Sequence, residues 1–171
     1  SMPAGLKQAS STVAIGFSVS ETVANTFAQN SVDLNLSPLD REVFVVTAIN
    51  LDPLAPDALA GLDTQVQASL TTTSQTGVVN LDNSNCLATA TLDIRSGGYA
   101  DSGVGFTRNG METPPATLDY IGIIATNDFF IQCVGTNNLA IKRCFGKLYG
   151  YRAVASADIY AALVQSEVLS A

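Results

Sequence analysis

The densest group of chemically capable side chains lies in residues 141–155, IKRCFGKLYGYRAVA. This stretch holds half of the basic residues of the chain, and aromatic residues are interleaved with them. Cations that neutralise phosphates and rings that stack on bases make up a surface for single-stranded nucleic acid, whereas Tyr and Arg are also enriched where protein subunits meet. The candidate contact residues are Lys142, Arg143, Phe145, Lys147, Tyr149, Tyr151 and Arg152.

A strand over residues 140–153 would divide these side chains between two faces, because successive residues of a strand point to opposite sides. Arg143, Phe145, Lys147, Tyr149 and Tyr151 would share one face with Ile141, and Lys142 and Arg152 would share the other with Cys144 and Leu148. An ordinary amphipathic strand with cross-strand Arg–acid and aromatic contacts explains the same pattern. The fragment FGKLYGY is close to one RRM signature, but the second aromatic motif and the βαββαβ order of that fold are missing.

Other residues that could do chemistry favour loops and turns. Asp57 and Asp63 could form the carboxylate pair of a glycosidase, but acids in an exposed loop are the simpler interpretation. The sequence NLDNSN (80–85) resembles part of a calcium loop and lacks its central Gly and distal Glu. The glycines of 96–105 do not stand between a strand and a helix as a phosphate loop requires. We therefore predict no catalytic residue, no cofactor and no metal ligand.

Composition excludes further classes. The chain has no histidine, which removes Ser-His-Asp and Cys-His catalysis and imidazole ligands for zinc. The three cysteines, Cys86, Cys133 and Cys144, are widely spaced and form no CxxC motif, so small buried side chains are the simplest interpretation. A Cys133–Cys144 bridge remains an alternative if the two lie on adjacent strands. The protein is predicted not to be an enzyme.

Charge is scarce and unevenly distributed. Charged residues make up 13% of the chain, and the net charge is −7, so the whole molecule should repel nucleic acid and anionic membranes. A surface poor in charge suits a protein packed into an assembly. No apolar run reaches the length of a transmembrane span, and the first residues lack the hydrophobic segment of a signal peptide. We expect synthesis in a host cytoplasm and no membrane partner.

Apolar–polar alternation predicts an all-β domain over residues 1–171, with residues 1–12 as a flexible N-terminal arm. Residues 20–30 fit either a helix or a strand. Ser156 or Asp158 can cap a C-terminal helix over 156–170, with Ile159, Leu163 and Leu169 or Val168 as its apolar stripe. A hairpin turn is predicted at 136–138, and long loops at 53–63 and 96–116. Strands are predicted around 13–17 and at 41–52, 64–76, 86–95, 117–126, 128–135 and 140–153.

Residues 40–170 resemble small virion coat proteins in their low charge, their abundant Ser, Thr and Asn, and their long Gly/Pro loop. The ending DFFIQCVGTNN…KRCFGKLYGYRAVASADIYAALVQSE is similar to structural proteins of environmental, marine viruses. The resemblance implies a jelly-roll sandwich of about eight antiparallel strands, closed-shell self-assembly and no catalytic residues. It also implies a virion location, with the chain itself and other virion proteins as partners. The sequence lacks the Arg-rich N-terminal arm of many coat proteins, so a decoration role is as reasonable as a coat role.

The alternative prediction is an extracellular β-sandwich binding module, of a carbohydrate-binding or adhesin-like kind. Loops 53–63, 80–85 and 96–116 would then form the site, with Tyr99, Phe106 or Tyr120 as the stacking platform. The absence of tryptophan counts against this alternative, because sugar faces favour large aromatic planes.

Overall fold

Ten strands and one helix make up the described part of the chain, which in this computed structural model comprises residues 4–97, 106–111 and 118–171. The strands are β1 Leu6–Gln8, β2 Val13–Ser20, β3 Ala28–Asp33, β4 Glu42–Pro53, β5 Thr64–Thr71, β6 Cys86–Arg95, β7 Phe106–Met111, β8 Gly122–Ile124, β9 Asp128–Thr136 and β10 Arg143–Ala155. The helix is α1, Ala157–Leu169. The prediction of an all-β chain with a short C-terminal helix is confirmed.

The strands form two antiparallel sheets that face each other. Sheet A has the order β2–β10–β4–β8, with β1 beside the last residues of β10, and sheet B has the order β3–β9–β5–β6–β7. Strands β2 to β5 alternate between the sheets, and β7 to β10 alternate again. This order is that of a double-sheet jelly roll, in which non-local pairing closes two Greek keys.

A β-bulge explains the imperfect alternation of the longest apolar strand. The pairing of β4 with β10 shifts by one residue between Tyr149 and Gly150, so β4 changes phase near Thr47. Before the bulge Phe44 and Val46 point into the space between the sheets, and after it Ile49 and Leu51 do. The extra residue keeps apolar side chains on the inner face along the whole strand.

Two apolar clusters hold the fold together. The larger one fills the space between the sheets, with Phe44, Phe129, Ile131 and Leu148 fully buried in it. The smaller one lies on the outer face of sheet A, where Val43, Val45, Tyr151 and Ala153 are covered by α1. The helix presents Ile159, Tyr160, Leu163 and Val164 to this face, whereas Val168 and Leu169 are exposed, so the predicted stripe is wrong at its C-terminal end.

Helix α1 is fixed at both ends. Ser156 is its N-cap, and the hydroxyl accepts a hydrogen bond from the N–H of Ile159 at 3.4 Å, as the sequence predicts. Near the other end the buried carboxylate of Glu167 accepts from the N–H of Ala125 at 2.7 Å and from the Thr126 hydroxyl at 2.5 Å. The helix therefore covers only the half of sheet A that lies next to these anchors.

Part of the outer face of sheet B is also covered. The segment 72–85 lies against it, since the N–H of Val79 donates to the Ser69 hydroxyl and the N–H of Gln75 donates to the Gln29 side chain. Gln132 is fully buried there and pairs with Ser69 at 2.6 Å. Polar side chains on this face are thus satisfied by one another, as burial requires.

Several predicted elements differ in the structure. Residues 136–138 are not a hairpin turn, because β9 and β10 belong to different sheets, although Asn137 does have the positive φ of 59° that Asn tolerates. The strand predicted over 117–126 is only Gly122–Ile124, and the strand predicted over 64–76 ends at Thr71.

Segments left open or assigned to loops also contain strands. Residues 20–30 hold the end of β2, a turn and the start of β3, and no helix. The loop predicted at 96–116 contains β7, while its residues 98–105 and 112–116 lie outside the described ranges. Residues 6–8 of the predicted flexible arm pair with β10, so that part of the expectation is wrong.

Candidate assembly surfaces

The half of sheet A that α1 leaves uncovered carries the basic and aromatic residues of β10. Arg143, Phe145 and Lys147 are exposed and Tyr149 is half-buried, all on the outer face. The Arg143 guanidinium lies 4.8 Å from the centre of the Phe145 ring, a cation–π contact. The structure therefore brings four of the seven predicted contact residues together on one open face.

Small residues line this row on its β2 side. In the antiparallel register Phe145 pairs with Ser18, Lys147 with Gly16 and Tyr149 with Ala14, and paired residues point to the same face. The result is a strip of small residues along the edge strand β2, beside the row of large side chains, which we call the β2–β10 furrow. Its floor is Ala14, Gly16 and Ser18, and its wall is Phe145, Lys147 and Tyr149.

The other three predicted contact residues are placed elsewhere. Lys142 is buried and bonded within the protein, and Tyr151 is 8% exposed beneath α1. Arg152 is half-buried, with its guanidinium 3.7 Å from the Glu42 carboxylate. These side chains do not take part in the open face.

Three connecting segments meet at one end of the sandwich, which we call the loop end: residues 21–27, 54–63 and 137–142. The carboxylate of Glu21 is buried there and accepts hydrogen bonds from the N–H groups of Thr26, Gly135 and Lys142, at 2.8–2.9 Å. One acid thus satisfies three backbone donors that have no strand partner. Such charge-assisted bonds fix the loops relative to the sheets.

Lys142 reinforces the same end. Its ammonium group donates to the Asp57 carboxylate at 2.7 Å and to the carbonyl of Ala55 at 2.9 Å. The hydrogen bond from Lys142, helped by the N–H groups of Ala140 and Leu139, lowers the pKa of Asp57 to about 2. Asp57 therefore stays ionised and acts as a structural acceptor.

Apolar side chains are exposed on the outside of this end. Five aliphatic residues contribute them, and Leu139 reaches 79% exposure while its N–H donates to Asp57 at 2.8 Å. They are Val23, Leu54, Leu62, Leu139 and Ile141. Exposed apolar side chains that adjoin in one patch mark contact sites, whereas scattered ones are ordinary. Sequence reasoning missed this feature, for which apolar residues inside polar turns, such as Leu139 after TNN, were the available signal.

The carboxylates considered for catalysis have separate structural partners. Asp57 is bonded to Lys142, and Asp63 accepts from the N–H groups of Ser96 and Gly97 at 2.9 and 2.7 Å. Those bonds lower the pKa of Asp63. Asn83 and Asn85 close the turn at 80–85 through an N–H to Oδ1 bond of 2.9 Å. Within the described ranges, no three His, Cys, Asp or Glu side chains are arranged to hold a metal ion.

Two of the loops assigned to the alternative binding site meet, since Asp63 accepts from the N–H groups of Ser96 and Gly97, but the third does not join them. Residues 54–63 precede β5 and residues 72–85 follow it, so the turn at 80–85 lies at the end opposite to the loop end. Tyr99 lies outside the described residues, and Tyr120 is 36% exposed. A single site built from loops 53–63, 80–85 and 96–116 is therefore ruled out by the direction of β5.

One apolar groove of about 230 Å³ lies between α1 and the loop at 34–41. Its lining has no ionisable group apart from the Tyr160 phenol, so it offers little for catalysis. The lining residues are Leu36, Pro38, Ala125, Thr126, Asn127, Tyr160 and Val164.

The thiols are core residues. Cys133 and Cys144 are free and buried in opposite sheets, and burial raises the pKa of each thiol to about 12. The alternative of a bridge on adjacent strands is wrong, because β9 and β10 do not pair.

Comparison with known proteins gives no matching protein-family model and no curated protein with significant similarity to the chain. In the described ranges no helix is long and apolar enough to cross a membrane.

Proposed function

We propose that the protein is a self-assembling structural subunit, and specifically a viral capsid (coat) or capsid decoration protein. The observation that carries the proposal is the loop end, where five aliphatic side chains are exposed beside loops that the buried Glu21 and Lys142 side chains hold by hydrogen bonds. Burying Leu139 and its neighbours against another subunit would remove apolar area from water at about 25 cal/mol per Å². Because the loops are already fixed, little conformational entropy would be lost on contact.

The fold and composition agree with this proposal. Double-sheet jelly rolls occur in viral capsid proteins and in lectin domains, so the fold by itself does not choose between them. Low charge favours the structural role, since only 13% of residues are charged. The binding-module alternative keeps two of its three loops in contact, through Asp63, Ser96 and Gly97, whereas the turn at 80–85 lies at the other end of β5.

Genome binding is not part of the proposal. The open face of sheet A offers two cations, Arg143 and Lys147, on a chain with a net charge of −7. Each phosphate contact adds to affinity through counterion release, so two contacts would give weak, salt-sensitive binding. Subunit contact is the better use of this face.

The test is the assembly state of the purified protein, measured by sedimentation velocity and negative-stain imaging across concentration and salt. We expect shells, rings, sheets or discrete oligomers for the wild type. Leu139→Asp should weaken association at least tenfold, because it places a charge in the contact. Leu169→Asp is the matched control, since Leu169 is equally exposed, at 75%, near the end of α1.

A wild-type protein that stays monomeric under all of these conditions would overturn the proposal. Equal effects of Leu139→Asp and Leu169→Asp would show that the loop end is not the contact.

A further inference from the structure

The β2–β10 furrow lies on the part of sheet A that α1 leaves uncovered. Its floor has free space, because a Cβ added to Gly16 would meet no atom within 4 Å. From Ala14 to Ser18 the floor runs about 13 Å, at roughly 3.3 Å per residue. The furrow is thus long and shallow enough for one tight turn of another polypeptide.

The chain itself carries a turn of that kind at the opposite end of the sandwich. Leu39 is 94% exposed, the highest value among the large apolar residues of the described ranges. The turn is held rigid, since Ser37 donates from its hydroxyl to Asp40 at 2.9 Å and Arg41 donates from its N–H to the Pro38 carbonyl at 3.1 Å. A preorganised apolar knob loses little entropy when it docks.

Charge complements shape in this pairing. Arg143 and Lys147 beside the furrow form no salt bridge within the described part of the chain, although Asp52 faces Phe145 between them on the outer side of β4. Asp40 stands next to Leu39, and Asp33 at the start of the same loop faces Asp128 directly across β3 and β9. The Asn127 amide donates to both acids of this facing pair, so Asp40 is the acid of this turn that is placed to meet a cation of another subunit.

We propose that the turn of one copy, with Leu39 and Asp40 at its tip, docks in the β2–β10 furrow of the next copy. Leu39 would contact Phe145 over the Gly16 floor, and Asp40 would pair with Lys147. The two surfaces differ, so the contact is head-to-tail and builds a ring or an open chain of subunits. This inference rests on the proposed function and names the second surface through which subunits meet.

The first test fills the furrow without disturbing the fold. Gly16→Leu places a side chain in open space on a strand, and Leu39→Ser removes the knob. Each should weaken association at least tenfold in sedimentation velocity while leaving the thermal unfolding midpoint unchanged or higher. Leu169→Ser is the matched control for the loss of an exposed leucine and should have no effect on association.

The second test exchanges charges. Lys147→Glu and Asp40→Lys should each weaken association, and the double variant should restore most of it, because every turn and every furrow then carries the exchanged charge. A purely structural role for either residue would not produce this rescue.

Three outcomes distinguish the proposals. A wild type that never associates overturns both. If the wild type associates and the association constants of Gly16→Leu, Leu39→Ser and the charge variants are within twofold of it, the furrow contact is overturned. The proposed function then still stands. Binding of a fluorescent oligothymidine that Lys147→Glu abolishes and Leu39→Ser leaves intact would assign the furrow to nucleic acid instead.

Discussion

Replacing Glu21 by glutamine tests whether buried charge holds the loop end. One carboxylate oxygen accepts from the N–H groups of Thr26 and Gly135, and the other accepts from the N–H of Lys142. Glutamine has the same size, but one of its two terminal groups is a donor. Whichever way the amide turns, its NH₂ group faces at least one backbone N–H.

The expected loss of stability follows from the more favourable of the two orientations of the glutamine amide. The carbonyl oxygen keeps Thr26 and Gly135, and the N–H of Lys142 is left buried without an acceptor. A buried unsatisfied donor costs about 1–3 kcal/mol, and the two remaining bonds weaken because their acceptor is now neutral. The lower cost of burying an amide offsets part of this loss. We expect the free energy of unfolding to fall by about 2–3 kcal/mol.

The measurement is urea unfolding at pH 7, followed by circular dichroism at low protein concentration so that association adds no stability. Glu42→Gln is the control, because Glu42 is partly exposed and accepts from the N–H of Ser37 at 3.2 Å. Because surface ion pairs contribute little, Glu42→Gln should lower the free energy of unfolding by less than about 1 kcal/mol. If Glu21→Gln cost no more than Glu42→Gln, the account of the loop end would be wrong.

Three further predictions concern acid stability, backbone packing and thiols. The folded-state pKa of Asp57 is lowered from 3.8 to about 2, so its contribution is present above pH 4 and is lost as pH falls toward 2. Asp57→Asn should remove about 1 kcal/mol of that acid-dependent stability, measured by urea unfolding between pH 2 and 5. Gly146→Ala should lower the free energy of unfolding by more than about 2 kcal/mol, because the added Cβ would collide with the carbonyl of Asn50. Gly16→Ala is the control and should be neutral or stabilising, since its Cβ would lie in open space. Equal thermal unfolding midpoints for the two variants would contradict this. Cys133 and Cys144 should resist iodoacetamide at pH 8 until urea unfolds the chain, and mass spectrometry showing labelling of either thiol in the native state would contradict their burial.

Local sequence pattern correctly predicts an element when the alternation of its own apolar and polar residues decides which side is buried. Strand β6 lies at the predicted residues 86–95, and α1 begins after the predicted cap Ser156. The sequence overestimates the length of β8, because an apolar run such as YIGII indicates that a strand is present but not where it begins or ends. Strand β8 pairs with β4 over three residues. The length of that pairing depends on β4 and is not encoded in the sequence of β8 alone.

The candidate site was predicted in part for a related reason. Alternation along β10 places Arg143, Phe145 and Lys147 on one face, and the structure has them there. Alternation does not say which stretch of that face another element covers. Helix α1 buries Tyr151 and leaves Phe145 open, although the two residues share a face.

By itself the sequence determined an all-β chain with little charge, no histidine and a basic, aromatic strand near its C-terminus. Those properties follow from residue type and from the period of two along a strand. The tertiary structure alone decided that Glu21 and Lys142 are internal and that Leu39 and Leu139 are external. The partners of Glu21 lie up to 121 residues away, and burial of a loop residue depends on such distant neighbours. Residue type predicts the opposite for all four, because charges usually face water and leucines usually avoid it.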